Sequence, residues 1–136
     1  MNVTITRKNK AVHFEAQNAD GNTVHFDGSQ EVGGEGKGVR PMEGVLMSLA
    51  SCSAIDVVDM LKKMRQELED IQIDVKGERR DEIPKVFTKI HLAYRLKGDI
   101  HPDKAERAVK LSAEKYCSVS KMLEPDVEIT YSVEME

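Results

Sequence analysis

The chain has 136 residues, a formal net charge of −4 and a pI near 5.6, and 32% of its residues are charged. This length predicts a single domain spanning residues 1–136. The acidic balance argues against binding to a phosphate backbone, which requires a basic face. With three Phe, three Tyr and no Trp, the chain also lacks the aromatic residues of a base-stacking surface. We therefore expect no nucleic-acid partner.

The start of the chain shows no apolar segment of the kind found in secretory signals, so we expect a cytoplasmic protein. In that reducing compartment the two cysteines, Cys52 and Cys117, are more often catalytic, metal-binding or buried than joined in a permanent disulfide. The longest apolar run is interrupted by three serines and Asp56. From these interruptions we expect no membrane span.

The first third of the chain predicts an antiparallel meander of three strands. Apolar and polar residues alternate over residues 3–5 and 12–16, and a turn signal at residues 20–22 precedes a third strand at residues 23–27. Residues 28–41 then contain five glycines, which predicts a long mobile loop. Because this loop lacks the Gly-Lys-Ser/Thr ending of a P-loop, we do not expect nucleotide binding.

A long central helix is predicted to begin at Pro41 and to continue to about Glu67. From Val45 to Leu61 almost every residue is apolar or small, so the helix has no wide polar face and must be covered on all sides. One small domain can hardly enclose such a helix. A homodimer with paired central helices would bury it, since the small residues allow close helix approach.

The remainder predicts strands at about residues 71–82 and 86–96, a helix from Pro102, a short helical turn at 117–123 and a last strand at 127–133. The order is βββ-α-ββ-α-α-β, which is an α+β fold. The helix from Pro102 has an apolar stripe at helical spacing. It consists of Ala105, Ala108, Val109, Ser112, Ala113 and Tyr116.

The two cysteines are candidates for a redox pair. A thiol attacks only as a thiolate, and the N–H groups at a helix start, where Cys117 is predicted, favour that form. Cys52 lies 65 residues earlier in an apolar run, so only the fold could bring the two together. Asp56 lies one turn after Cys52 on the same helix face, where we expect a packing or capping contact. His13 and His25 fall on neighbouring strands and could meet, but we do not expect a zinc site there.

Three motifs carry a resemblance to a known family. They are Arg-Pro-Met-Glu at residues 40–43, directly after the glycine-rich loop, Ser-Cys-Ser-Ala-Ile-Asp at residues 51–56, and Lys-Tyr-Cys-Ser-Val-Ser at residues 115–120. With these motifs in this order, the chain resembles the family of osmotically induced protein C (OsmC) and the organic hydroperoxide resistance proteins. The match is closer to the less-characterised OsmC-like branch.

The resemblance implies an intertwined α+β homodimer that reduces organic hydroperoxides without a metal or flavin. Cys52 would be the attacking thiol and Cys117 the resolving one, and a dithiol such as a lipoyl group would be the reductant. The family also uses an arginine, for which Arg40 and Arg7 are both candidates. Arg40 is favoured because it adjoins the helix start.

A glutamate belongs to the family's site as well, and Glu43 is the candidate. It precedes Cys52 by nine residues, which places the two nearly opposite each other on a regular helix. A low-polarity groove would favour organic peroxides over hydrogen peroxide. The side chains expected to line it are Met47, Leu49, Ile55 and Met122.

Two other functions remain open on the sequence. The first is a non-catalytic dimeric module whose groove binds a small hydrophobic or thiol-bearing ligand. The second is a purely structural dimer in which both cysteines are inert, since free cysteine is often simply a small buried hydrophobic residue. The reactivity of the two thiols distinguishes all three functions.

Overall fold

The computed structural model describes all residues from Met1 to Glu136. It is an α+β structure with two three-stranded sheets, and the predicted order of strands and helices is confirmed. The elements are β1 (Val3–Arg7), β2 (Phe14–Asn18), β3 (Thr23–Phe26), α1 (Pro41–Lys63), β4 (Glu67–Arg79), β5 (Phe87–Asp99), α2 (Pro102–Leu111), α3 (Ser118–Leu123) and β6 (Glu128–Met135).

The chain divides into two compact units, Met1–Val45 and Leu46–Glu136. The first unit contains the predicted antiparallel meander, with strand order β1-β2-β3. Ile5 pairs with Ala16, and Ala16 pairs with Val24 on the other side. All five residues of β1 are exposed within one chain.

The glycine-rich loop of the first unit folds back on itself. The buried carboxylate of Asp27 accepts hydrogen bonds from the backbone N–H groups of Gly28, Glu35 and Lys37, at 2.8 to 3.0 Å. These bonds, that of Lys37 first, hold the pKa of Asp27 below its ordinary value of 3.8. A Cβ atom on Gly34 would overlap the Gly28 backbone. Part of the glycine content therefore serves the packing of the loop itself.

Helix α1 ends at Lys63, four residues before the predicted end at Glu67. Arg65 adopts a left-handed conformation with φ 58°. The Gln66 N–H then donates to the Leu61 carbonyl, and the Arg65 N–H donates to that of Lys62. This pair of bonds satisfies the last carbonyls of a helix and turns the chain out of it, so β4 starts at Glu67, before the predicted Ile71.

Only one side of helix α1 is buried within a single chain. Its buried residues recur at every fourth position and are Leu49, Ser53, Val57 and Leu61. Large apolar residues on its other sides are exposed, among them Met47, Ile55 and Val58.

The expectation that the chain has no membrane span stays a prediction. At 23 residues, α1 is long and apolar enough to cross a membrane by length and composition alone. The core helix of a globular protein can meet the same criterion, so this property carries no conclusion about location.

The second unit has β5 as the central strand of its sheet. Strand β4 pairs with β5 in antiparallel fashion, and β6 pairs with β5 in parallel fashion. Every second residue in the middle of β5 is buried, with 0–1% exposure for Ile90, Leu92, Tyr94 and Leu96. This period of two gives the sheet one buried face. The hydroxyl of Tyr94 reaches Ser53 of α1, which shows that the helix covers this face.

Helix α2 is followed at once by one π turn, Ser112–Tyr116, in which the N–H of Cys117 donates to the carbonyl of Ser112 at 2.9 Å. This bond spans five residues, whereas an α-helical bond spans four. The extra residue shifts the phase of the helix. Tyr116, the last residue of the predicted apolar stripe, lies in this turn and is 51% exposed within a single chain.

Candidate active site

The fold brings the two cysteines together. Cys52 lies in the middle of helix α1 and is half-buried, and Cys117 caps the N-terminus of α3 and has no exposed surface. Their sulfur atoms and a carboxylate oxygen of Asp56 all lie within 4.8 Å of one another. A modest side-chain movement would bring the two sulfurs to bonding distance.

Burial dominates the electrostatics of Cys117. The backbone N–H of Ser120 donates to its sulfur at 3.4 Å, as expected at a helix start. Loss of hydration nevertheless outweighs this bond, and Cys52 and Asp56 act in the same direction as burial, so the pKa of Cys117 rises from 9.0 to about 11. The N–H group at the helix start does act in favour of the thiolate, as expected, but burial outweighs it. At neutral pH Cys117 is a thiol.

A buried row of hydroxyl groups ends at Asp56. Tyr94 and Ser53 are in contact through their hydroxyls, Ser53 Oγ lies 2.9 Å from Ser112 Oγ, and the Ser112 hydroxyl donates to Asp56 Oδ2 at 3.1 Å. Tyr94, Ser53 and Ser112 are each at most 1% exposed. Burial also raises the pKa of Tyr94 to about 12.

Sequence reasoning gave Asp56 only a packing or capping role. One signal could have suggested more, since an acidic residue one helical turn from Cys52 is costly in an apolar run unless it has partners. Ser112 supplies such a partner from the turn after α2, and no sequence pattern predicts that contact.

The arginine and glutamate candidates lie in the first unit. The carboxylate of Glu43 accepts the backbone N–H of Arg40 at 2.8 Å, a contact at the start of α1. The guanidinium of Arg7 donates to the carbonyls of Lys10 and Ala11 within its own loop. Arg7 is thus engaged locally, whereas roles for Arg40 and Glu43 beside Cys52 stay predictions.

The predicted groove is not formed by the expected side chains within a single chain. Leu49 is fully buried, but Met47, Ile55 and Met122 are 51%, 70% and 81% exposed. These three residues face solvent here.

Two clusters have the chemistry of metal ligands. Cys52, Asp56 and Cys117 offer two sulfurs and one oxygen, a set that would suit a soft divalent ion such as Zn²⁺. His13 and His25 do meet, as the sequence suggested, with ring nitrogens 2.9 Å apart. That contact occupies one nitrogen of each ring and so makes the pair a weak ligand set.

A family model described as OsmC-like protein matches residues 34–132. Protein YhfA of Escherichia coli strain K12 is 46% identical over 123 residues, which cover 90% of this chain and 89% of YhfA.

Solved structures share the fold over almost the full length. A hypothetical protein from Aquifex aeolicus is 39% identical, with a TM-score of 0.82 and coverage of 99% of this chain and 96% of that one. An organic hydroperoxide resistance protein OsmC from Legionella pneumophila, also described as a predicted redox protein, has a TM-score of 0.73 at 19% identity. The match covers 98% of this chain and 97% of the Legionella pneumophila chain. At that identity the likeness shows the fold alone.

Proposed function

Because this chain belongs to the OsmC-like protein family, we propose that it reduces organic hydroperoxides, with Cys52 as the attacking thiol and Cys117 as the resolving thiol. The observation that carries the proposal is the position of the two sulfurs within 4.8 Å of each other, although they come from distant parts of the chain. Some proteins with this fold are described as organic hydroperoxide resistance proteins, and the proposal extends that activity to this chain.

The difference in burial supports the order of the two thiols. A peroxide from solvent can approach the half-buried Cys52, whereas the sulfur of Cys117 is enclosed and protonated at neutral pH. A thiol of that kind is a poor first nucleophile. It is well placed to attack a neighbouring sulfur, because proximity compensates for low thiolate content.

The reaction consumes one peroxide and two thiols. The Cys52 thiolate attacks the peroxide oxygen, the O–O bond breaks, and the leaving alkoxide takes a proton to become an alcohol. Cys52 is then a sulfenic acid. The Cys117 sulfur attacks it, the S–O bond breaks, water leaves and a disulfide forms, which prevents over-oxidation. A dithiol such as a lipoyl group would reduce the disulfide.

The test is to treat the reduced protein with one equivalent of cumene hydroperoxide and to map its peptides. We expect an intramolecular Cys52–Cys117 disulfide. Cys52→Ser should abolish peroxide consumption, and Cys117→Ser should allow one turnover and then accumulate sulfenic or sulfinic acid at Cys52. If peroxide leaves both thiols free, the enzymatic function is rejected. A non-catalytic module that binds a small hydrophobic or thiol-bearing ligand would then explain the same site.

We further propose that the working form is a cytoplasmic homodimer. The support is the exposure of apolar residues on α1, which include Met47, Ile55 and Val58 and which a second copy could cover. Sedimentation at micromolar concentration should show a dimer. A folded, stable monomer under those conditions would contradict this assembly.

A further inference from the structure

We propose, as an extension of the proposed function, that Asp56 is the base that accepts the proton of Cys117 when this thiol attacks the oxidised Cys52, and that Ser112 positions Asp56 for this step. A carboxylate oxygen of Asp56 lies within 4.8 Å of both sulfurs, so one side-chain rotation or one bridging water would connect it to the thiol proton.

A carboxylate only accepts hydrogen bonds, so the contact between Ser112 and Asp56 requires the Ser112 hydroxyl to donate. The same hydroxyl also lies 3.4 Å from the Ser53 carbonyl. When it donates to Asp56, the Ser53 hydroxyl donates to Ser112 and the Tyr94 hydroxyl donates to Ser53. Three donors in series reinforce one another in a buried site. The hydrogen bond from Ser112 therefore holds the Asp56 carboxylate in position beside the two sulfurs.

Few groups other than Asp56 are suited to this proton transfer. Cys52 and Asp56 are ionisable neighbours whose sulfur or oxygen atom lies within 4.8 Å of the Cys117 sulfur. Once Cys52 has become a sulfenic acid it is no longer a thiolate base, and Asp56 is the charge that remains. Tyr94 stays protonated at neutral pH and cannot accept a proton there.

The step balances without an added reagent. The Cys117 S–H bond breaks and its proton moves to Asp56 while its electron pair forms the S–S bond. The Cys52 S–O bond breaks, and the departing hydroxide takes the proton back from Asp56 to give water. At the end of the step Asp56 is a carboxylate again, and the two sulfurs are joined in a disulfide.

The step can be tested without peroxide. Ellman's reagent should first attack the more exposed Cys52 and release one thionitrobenzoate. Cys117 should then attack the mixed disulfide and release a second. The two phases are followed by the absorbance of the released anion. A Cys117→Ser variant, which should show only the first phase, verifies the assignment.

Asp56→Asn keeps the size of the side chain and removes its charge. We expect it to slow the second phase at least about tenfold, which is less than the roughly hundredfold or more that a positioned general base typically contributes, and not to slow the first phase. Asp56→Glu should recover part of the rate, and Ser112→Ala should slow the second phase less than Asp56→Asn. Asp59→Asn is the matched control, because Asp59 lies on the same helix but is exposed and pairs with Lys63 at 2.7 Å.

An unchanged second phase in Asp56→Asn would overturn the proposal. Equal slowing of both phases would also overturn it, since that result indicates a structural role. If circular dichroism shows that Asp56→Asn is not folded, Ser112→Ala is tested instead. An unchanged second phase or equal slowing of both phases in that variant would overturn the proposal. The outcome is separate from that of the peroxide experiment, because normal peroxide consumption with an unaffected second phase rejects only the role of Asp56.

Discussion

Selective alkylation of the two cysteines is expected from their different environments. In the native, reduced protein we expect iodoacetamide to modify Cys52 readily and Cys117 very slowly. Cys117 has no exposed surface and its pKa is raised to about 11, and alkylation requires the thiolate. In the unfolded chain both thiols should react alike.

The size of the effect can be worked out from the pKa values. The pKa of Cys117 rises from 9.0 to about 11 on folding, and each pH unit changes the thiolate fraction tenfold at a pH below both values, so the fraction falls about hundredfold. Steric enclosure can only add to this factor. Native Cys117 should therefore be alkylated at least about a hundredfold more slowly than in denaturant.

The assay is a two-label experiment. Light iodoacetamide is added to the native protein for a set time, heavy iodoacetamide is added next in denaturant, and the ratio at each cysteine is read by mass spectrometry. Cys52→Ala should make Cys117 somewhat more reactive, because Cys52 contributes to the raised pKa of Cys117. If native Cys117 reacts as fast as in denaturant, the burial argument and the assignment of the resolving thiol both fail.

Three further outcomes are expected. Arg40→Met should slow alkylation of Cys52 near neutral pH if this arginine favours the thiolate, and an unchanged rate would remove Arg40 from the site. Leu49→Ala should lower the free energy of unfolding by about 2–5 kcal/mol, measured by urea titration, because Leu49 has no exposed surface. Asp27→Asn should lower the urea midpoint at neutral pH. The folded pKa of Asp27 lies below 3.8. The greater stability of the wild type over Asp27→Asn should therefore persist above pH 3.8 and vanish as the pH falls through the folded pKa. A stability difference that does not change with pH would show that the Asp27 carboxylate does not stabilise the loop.

The order of elements could be predicted because each has a strong local pattern. The alternation of apolar and polar residues in β2 and β5 and the long apolar run of α1 can be recognised in the sequence without knowledge of what packs against them. The end of α1 could not be predicted, because it depends on a left-handed turn at Arg65, a residue that rarely adopts this conformation.

Only part of the candidate site could be predicted from the sequence. Cys52 and Cys117 stand out because thiols are rare and their motifs resemble those of a family. Asp56 did not stand out, since its significance comes from Ser112, which reaches it from a distant part of the chain. The raised pKa of Cys117 was also hidden, because a helix start and burial act in opposite directions and the sequence does not give the burial.

The π turn after α2 affects how this chain can vary in evolution. The turn contains one residue more than an α-helical turn would need, and Cys117 comes directly after it. Deletion of a single residue there would let the helix continue regularly and would rotate Cys117 and α3 by about 100° about the helix axis. Such a deletion could leave the sheets intact and still separate the two sulfurs. We therefore expect related chains with a working cysteine pair to tolerate many substitutions in this turn, but not a change in its length.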